Sequence, residues 1–295
     1  MKQWIPWWAK ILIKIVLSRI PLNYRLWSEL GIFRHGNMAD AGHALNIFHH
    51  HFDRVATYLD SKGFSVLELG VGDSVATAQI AHAFGASNSY LVDVGKFATE
   101  DMGYYQRVTK LLKSKGLDPV QLDPGDTLNQ MLSHCHAQYM IDGLSSLTSI
   151  VDDSVDFVWS EAVLEHVRLS EFDQTLAELH RITRADGVLS HRIDLRDHLD
   201  YSLNNLRFSE SVWESEFMAG SGFYTNRIRY SDMIDRFESA GFSVEVVVVD
   251  TWSDLPTSRS RLNQVFRLLP DDELLVSCFD VILRPIKPSG GCTVS

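Results

Sequence analysis

Cysteine, positive charge and uninterrupted apolar runs are all in short supply in this chain, and each shortage excludes a class of protein. The 295 residues include three cysteines whose spacing forms no pair, which argues against a disulfide framework or a zinc ribbon. A reducing cytoplasm is the simplest compartment for such a chain. The net charge of −11 argues against non-specific binding to DNA or RNA.

The N-terminal segment differs from the rest, because residues 4–27 are rich in tryptophan and isoleucine and carry only basic charge. Five apolar residues follow the spacing of one helix face: Trp8, Ile11, Leu12, Ile15 and Val16. We expect Lys10 and Lys14 on the opposite face and Pro21 at the end of the helix.

The two lysines in the middle of this segment argue against a membrane span, and the missing small-residue cleavage site argues against a signal peptide. Two interpretations stay open for residues 4–20. One is an interfacial helix with tryptophans at the headgroups and lysines facing anionic lipid, on the cytoplasmic face of the membrane. The other is a lid or dimer helix packed on protein, which allows a homo-oligomer.

A glycine loop between two apolar strands is the strongest functional motif. The string SVLELGVGDS, residues 65–74, predicts a buried strand that runs into the turn Gly70-x-Gly72. Glycine lets the backbone approach a ligand closely. A second strand ends at Asp93, 21 residues after Gly72, at the spacing that offers a carboxylate to ribose hydroxyls. An adenosine-containing ligand is therefore predicted.

The loop does not fit a nicotinamide dinucleotide. Val75 stands where the third glycine of that fingerprint belongs, and Asp73 would repel a pyrophosphate. A cofactor with a ribose and no phosphate fits better.

The Glu-x-Gly-x-Gly string with its downstream aspartate resembles motif I of class I S-adenosylmethionine-dependent methyltransferases. Four later segments resemble the fourth to seventh strands of that family: residues 153–167, 181–195, 239–250 and 275–285. The resemblance implies an α/β fold with a doubly wound, seven-stranded Rossmann-like sheet. We expect an N-terminal helical extension over residues 1–40, the methyltransferase domain over 41–287 and a flexible tail over 288–295.

S-adenosylmethionine is the cofactor that the resemblance implies, and its positive sulfonium suits an acidic lining. Asp93 is expected at the ribose and Asp142, after the third strand, at the adenine. The cofactor-binding positions are Glu68, Gly70, Gly72, Asp73, Asp93, Asp142, Gly143, Ser160 and Glu161.

The long connection after the fifth strand, residues 196–230, predicts a lid over the acceptor, since ligands bind at the carboxyl edge of such a sheet. Its planar polar side chains suit a hydroxylated acceptor such as a sugar. The expected acceptor-binding residues are Asp194, Asn204, Arg207, Trp213, Tyr224, Asn226 and Arg227.

A hydroxyl acceptor needs a base. His191, expected at the end of the fifth strand, is the first candidate, and His166 with Glu165, after the fourth strand, is the second. His166 and His191 could converge. For both histidines, a purely structural role stays open.

One branch of the family binds a divalent metal through a Glu-x-x-Glu-His motif. This chain has Glu165-His166 but Ala162 in place of the first glutamate, so we expect no metal. Replacement ligands could come from His191, Asp194 or His198.

Short strings, among them SHRIDLRDHL, resemble methyltransferases of bacterial surface-polysaccharide pathways. That implies O-methylation of a sugar or a lipid-linked glycan. Methylation of a small natural product and a non-catalytic cofactor-binding membrane adaptor are the alternatives.

Overall fold

A seven-stranded sheet forms the centre of the computed structural model, which describes residues 6–18, 40–60 and 62–287. The strands in chain order are β1 (Ser65–Leu69), β2 (Asn88–Val92), β3 (Ala137–Met140), β4 (Val155–Glu161), β5 (Thr183–Asp194), β6 (Phe242–Thr251) and β7 (Val276–Pro285). They lie side by side in the order β3-β2-β1-β4-β5-β7-β6. The first five run parallel, and β7 runs antiparallel to both β5 and β6. The predicted doubly wound, Rossmann-like sheet with a final antiparallel strand is confirmed.

The helices connect the strands and surround the sheet. They are α1 (Trp7–Ser18), α2 (Ala41–Val55), α3 (Thr77–Ala83), α4 (Met102–Ser114), α5 (Leu128–His134), α6 (Leu144–Thr148), α7 (Leu169–Ile182), α8 (Glu210–Trp213), α9 (Glu216–Ala219), α10 (Tyr230–Ser239), α11 (Gln264–Arg267) and α12 (Asp271–Leu275). Short 3₁₀ turns cover Ala56–Tyr58, Leu164–His166, Asn204–Arg207 and Arg259–Arg261.

Two apolar cores lie on opposite faces of the sheet, because successive strand residues point to opposite sides. Val66 of β1 packs in the core beneath α2, α3 and α4. Its neighbour Leu67 packs in the core beneath α7 and α10. The parallel strands end at one edge of the sheet, which is where a doubly wound sheet binds its ligands.

Strand β5 is longer than the sequence analysis predicts. Asp186 and Gly187 lie inside it, and it continues past His191 to Asp194. Its pairing with β4 shifts register between Val155 and Phe157, an irregularity that accommodates extra residues. His191 therefore lies three residues before the end of β5, not at its end as expected.

Helix α1 packs on the segment between β5 and α10. Ile11 and Ile15 are buried in a cluster with Trp213 and Phe223. The predicted amphipathic helix is present, but the predicted ends near residues 4 and 20, and the expected flexible tail, lie outside the described residues. Among the described residues, no helix is long and apolar enough to cross a membrane.

The lysines of α1 face the protein, which corrects the expectation that they face outward. Lys10 donates to the carbonyl oxygen of Leu199 at 2.8 Å and pairs with Asp200. Lys14 donates to the carbonyl oxygen of His198 at 3.2 Å. The outward side of α1 is apolar instead.

Candidate active site

The loop after β1 touches the loop after β4. Gly70 and Gly72 have φ angles of +79° and +64°, which favour glycine. A Cβ atom on Gly70 would collide with the side chain of Val163. The two loops therefore meet at the carboxyl edge of the sheet, where a doubly wound fold binds its ligand.

Asp93 joins the end of β2 to this glycine loop. Its Oδ2 accepts from the backbone N–H of Gly72 at 3.0 Å, and its Oδ1 accepts from that of Val94 at 2.7 Å. Burial raises the pKa of this carboxyl group. Each oxygen keeps a lone pair, so a ribose hydroxyl can still donate to Asp93.

Glu68 brings a second carboxyl group to the same place. Its side chain is 2% exposed, and its Oε2 has no hydrogen-bond partner among the described residues. Burial raises the pKa of Glu68 to about 8. A buried oxygen without a partner suits a ligand that donates hydrogen bonds or carries positive charge.

Asp142 and Gly143 follow β3 and lie beside the residues that follow β2. The backbone N–H of Gly143 donates to the carbonyl oxygen of Asp93 at 2.9 Å, so the ends of β2 and β3 are bonded together. The side chain of Asp142 is exposed. Its carboxylate is therefore accessible to a ligand, as the expected adenine contact requires.

These residues fit S-adenosylmethionine. Residues 65–75 contain two carboxylates and no basic side chain. This lining disfavours a pyrophosphate and suits a cofactor that carries ribose hydroxyls, an amino group and a positive sulfonium. The chemistry that this cofactor brings is an already activated methyl group.

Ser160 and Glu161 at the end of β4 are engaged within the protein. Ser160 is fully buried, and its hydroxyl is 2.7 Å from Nδ1 of His191. Glu161 lies 3.1 Å from Nε2 of His51, a buried member of the histidine run on α2, and near Arg192. Glu161 is partly exposed, whereas Ser160 offers no surface to a cofactor in this conformation.

His191 lies in the interior of the sheet. Its side chain is 0% exposed, and its Nε2 has no hydrogen-bond partner among the described residues. Burial lowers the pKa of His191 to about 3, with a smaller contribution from His51. Its ring contacts Ser160 inside the sheet, whereas His166 lies with Glu165 and His198. The two histidines therefore do not meet in one site, as they could have done.

His166 instead lies beside His198. The two ring centroids are 4.6 Å apart. The Nδ1–H of His166 donates to the carbonyl oxygen of Tyr224 at 2.7 Å, which leaves Nε2 as the nitrogen with the lone pair. His166 is in contact with solvent on one side. Its pKa is nevertheless lowered, first because the surrounding protein desolvates the ring and second because His198 lies close by.

Glu165 completes this group, which we term the histidine cluster: Glu165, His166 and His198. Glu165 is 1% exposed, and burial raises its pKa well above the ordinary value. Just before the cluster, Ala162 has a φ angle of +54°, an uncommon conformation for a residue with a Cβ. Backbone strain of this kind concentrates at functional sites.

The expected acceptor-binding residues lie together beside the cluster, but most of their polar atoms are bonded within the lid. Trp213 is fully buried and donates to the carbonyl oxygen of Thr225 at 2.7 Å. Asn226 donates to the carbonyl oxygen of Leu164 at 2.9 Å. Arg227 donates to the carbonyl oxygen of Phe208 at 2.9 Å.

The remaining four behave in the same way. Tyr224 donates to Glu214 at 2.7 Å, and Asp194 pairs with Arg196. Asn204 is buried and accepts from Arg207 at 2.9 Å, and the Arg207 guanidinium lies over the ring of Trp7. These seven residues hold the lid in place, and among them only Arg207 is more than slightly exposed in this conformation.

From the sequence, His198 was expected only as a possible replacement metal ligand and not among the catalytic residues. Its position in the chain gives one hint only: it follows the end of β5 by four residues. Its pairing with His166 depends on the path of the connecting segment, which no local pattern specifies. Lys14, bonded to the same segment, was likewise expected to face away from it.

Part of the chain is similar in sequence or in fold to known proteins. Residues 67–190 match a family model described as a methyltransferase domain. No curated protein matches.

Among solved structures, the chain is similar to one in the complex of the Haloferax volcanii Trm112 methyltransferase activator with a putative methyltransferase, at 16% identity over 90% of this chain and 93% of that one (TM-score 0.43). It is similar to an arsenic(III) S-adenosylmethionine methyltransferase from Chlamydomonas reinhardtii at 17% identity over 78% and 65% (TM-score 0.42). It is also similar to a Haemonchus contortus phosphoethanolamine N-methyltransferase 2 at 16% identity over 87% and 54% (TM-score 0.43).

The sheet, its glycine loop and the matched domain define a class I methyltransferase fold. Residues 67–190 thus carry a methyltransferase domain, for which S-adenosylmethionine is the cofactor.

Proposed function

We propose that the protein transfers the methyl group of S-adenosylmethionine to a hydroxyl oxygen of a sugar or a lipid-linked glycan. The observation that carries this proposal is the fixed orientation of His166. Its Nδ1–H is bonded to the carbonyl oxygen of Tyr224, so Nε2 keeps its lone pair and can accept a proton. A hydroxyl is too weakly acidic to attack unaided, and a group in this position activates it.

The position of His166 supports the same conclusion. It follows β4 by five residues, and the loop that carries it touches Gly70 through Val163. An acceptor placed at His166 would thus lie next to the cofactor loop. In-line transfer requires mainly that donor and acceptor be aligned, because the methyl group is already activated.

A sugar acceptor is supported by the polar character of the cluster's surroundings. Asp194 and Arg196 lie close to His198, and Arg207 lies along the lid, so charged and hydrogen-bonding groups surround the two histidines. A small aromatic natural product would need an apolar, planar slot. That acceptor remains the second candidate function.

Attachment to a membrane surface is a separate part of the proposal, supported by α1. Trp8, Leu12 and Val16 are 55–61% exposed on its outward side. An exposed apolar stripe that includes a tryptophan suits the headgroup region of a bilayer. A lipid-linked acceptor would be presented at such a surface.

The experiment is a transfer assay with methyl-labelled S-adenosylmethionine. The acceptors are a set of nucleotide sugars, a lipid-linked oligosaccharide fraction and a set of small phenols. Label in a sugar fraction, reduced strongly in His166→Ala and retained in a His49→Ala control on the exposed face of α2, is the expected result. Label only in the phenols would favour the natural-product function. Cofactor binding without transfer to any acceptor would favour a non-catalytic adaptor.

A further inference from the structure

Three side chains of the histidine cluster direct donor atoms at one point. One ligand atom each from Glu165, His166 and His198 lie within 4.8 Å of one another. They come from two segments, the turn after β4 and the connection after β5. The fold, and not one local motif, brings them together.

Other contacts hold these side chains in this arrangement. His166 is oriented by the carbonyl oxygen of Tyr224 through Nδ1. Glu165 is held through Oε1 by the backbone N–H of Asp194 at 3.3 Å. A backbone carbonyl that accepts from the second ring nitrogen is the usual support for a histidine whose first nitrogen binds a metal.

Two of the three donors are buried and have no partner. Oε2 of Glu165 and Nε2 of His198 have no hydrogen-bond partner among the described residues. Leaving such groups unsatisfied costs free energy, so buried polar atoms in native proteins normally have a partner. A cation at the centre of the cluster would bind both of these atoms and the lone pair on Nε2 of His166.

We propose that Glu165, His166 and His198 bind a divalent transition-metal ion such as Zn²⁺ or Mn²⁺. Two imidazoles and one carboxylate suit these ions better than Mg²⁺ or Ca²⁺, which favour all-oxygen ligands. Metal–ligand bonds of about 2.0–2.2 Å require the donor atoms, which lie within 4.8 Å of one another here, to approach to roughly 3.4 Å when metal binds. Because the His166 ring reaches solvent, a coordination position stays open.

This ligand set differs from the Glu-x-x-Glu-His pattern. Ala162 occupies the first glutamate position, with no ligand atom, and His198 from the connection after β5 takes its place. The inference rests on the proposed function and alters it in one respect. A bound metal would take the lone pair on Nε2 of His166, and the metal, in place of the free imidazole, would increase the acidity of an acceptor hydroxyl at the open position.

Lys14 allows a second, independent test of the metal site. Its ammonium group donates to the carbonyl oxygen of His198, and its charge contributes to the lowered pKa of both histidines. A fixed positive charge near a cation site weakens binding. Replacing it with a neutral side chain should therefore tighten metal binding.

The test is titration of the chelator-stripped, full-length protein with Co²⁺, Zn²⁺ and Mn²⁺, followed by calorimetry and by the visible absorption of Co²⁺. We expect one equivalent to bind, at least 10-fold more weakly in His198→Ala and in the isosteric Glu165→Gln, with the His49→Ala control unchanged. Lys14→Met should bind more tightly. S-adenosylhomocysteine affinity reports whether each variant is folded.

Wild-type protein without stoichiometric binding, or binding that His198→Ala leaves unchanged, would overturn the inference. If transfer then still depends on His166 without metal, the proposed function stands and His166 acts as a free base. If metal binds but no hydroxyl is methylated, the metal site stands and the proposed function fails.

Discussion

Lys14 of the N-terminal helix donates to the backbone carbonyl oxygen of His198, at 3.2 Å. This contact attaches α1 to the segment that carries one member of the histidine cluster. The helix is thus part of the wall of the site, and its lysines are not available to lipid. Its outward face carries only the apolar stripe and solvent-facing polar atoms.

The first prediction concerns that stripe. The double substitution Leu12→Glu and Val16→Glu should abolish co-sedimentation with liposomes and leave S-adenosylhomocysteine affinity unchanged, because both side chains point away from the protein. Val265→Glu with Leu268→Glu is the control, since those residues, in α11 and directly after it, are at least as exposed as Leu12 and Val16. Binding should depend only weakly on salt, because Lys10 and Lys14 face inward. If the wild-type protein does not bind liposomes, the interpretation of α1 as a lid or dimer helix is favoured.

The second prediction compares the two candidate bases. His166→Ala should lower the transfer rate roughly 10²–10⁴-fold, because its free Nε2 faces the acceptor. His191→Ala should act mainly on stability, by about 1–3 kcal/mol, since it removes a buried group bonded to Ser160. Rates at saturating cofactor and thermal unfolding of both variants check this. The reverse ranking of rates would restore His191 as the base.

The third prediction concerns Asp93. Asp93→Ala should weaken S-adenosylhomocysteine binding by about 1.5–3 kcal/mol, the range for a hydrogen bond to a charged group. It also removes the acceptor for the Gly72 N–H, so the glycine loop should become more mobile. Calorimetry measures the affinity, and amide exchange at the loop measures the mobility. Unchanged affinity would remove Asp93 from the ribose site.

The fourth prediction uses Glu68 as a pH reporter. Its pKa is raised from 4.5 to about 8 in the folded protein. The protonated form is therefore favoured by folding, so stability is fully present below about pH 4.5 and falls as the pH rises through 8. The loss at high pH is roughly 3–5 kcal/mol without cofactor.

Glu68→Gln removes this titration. Thermal unfolding of the cofactor-free proteins should show similar stability at pH 5 and a more stable variant at pH 8.5. Parallel pH profiles for the wild type and the variant would mean that Glu68 has a partner in solution or is hydrated.

The sheet could be predicted because its determinants are local. The apolar strands around Leu67 and Leu91, the glycines of the first loop and the spacing to Asp93 each depend on only a few neighbouring residues. They therefore carry fold and cofactor information that one sequence can reveal.

The acceptor side could not be predicted in the same way. The residue types around His191 do not show where β5 ends. Because the strand continues three residues further, to Asp194, His191 lies in the interior of the sheet and not at its edge. Trp213 and Asn226 are polar or amphipathic in the sequence, yet tertiary packing buries them as lid supports. The amphipathic pattern of α1 likewise does not determine which face of the helix packs against the rest of the protein.

The most direct test of the account is the identity of the methylated atom, with carbon-13-labelled S-adenosylmethionine as donor and nuclear magnetic resonance of the product. The account predicts a methyl ether on a sugar hydroxyl, formed at least 100-fold more slowly by His166→Ala at equal S-adenosylhomocysteine affinity. A label on nitrogen, sulfur or carbon, or an ether formed equally fast by His166→Ala, would contradict it.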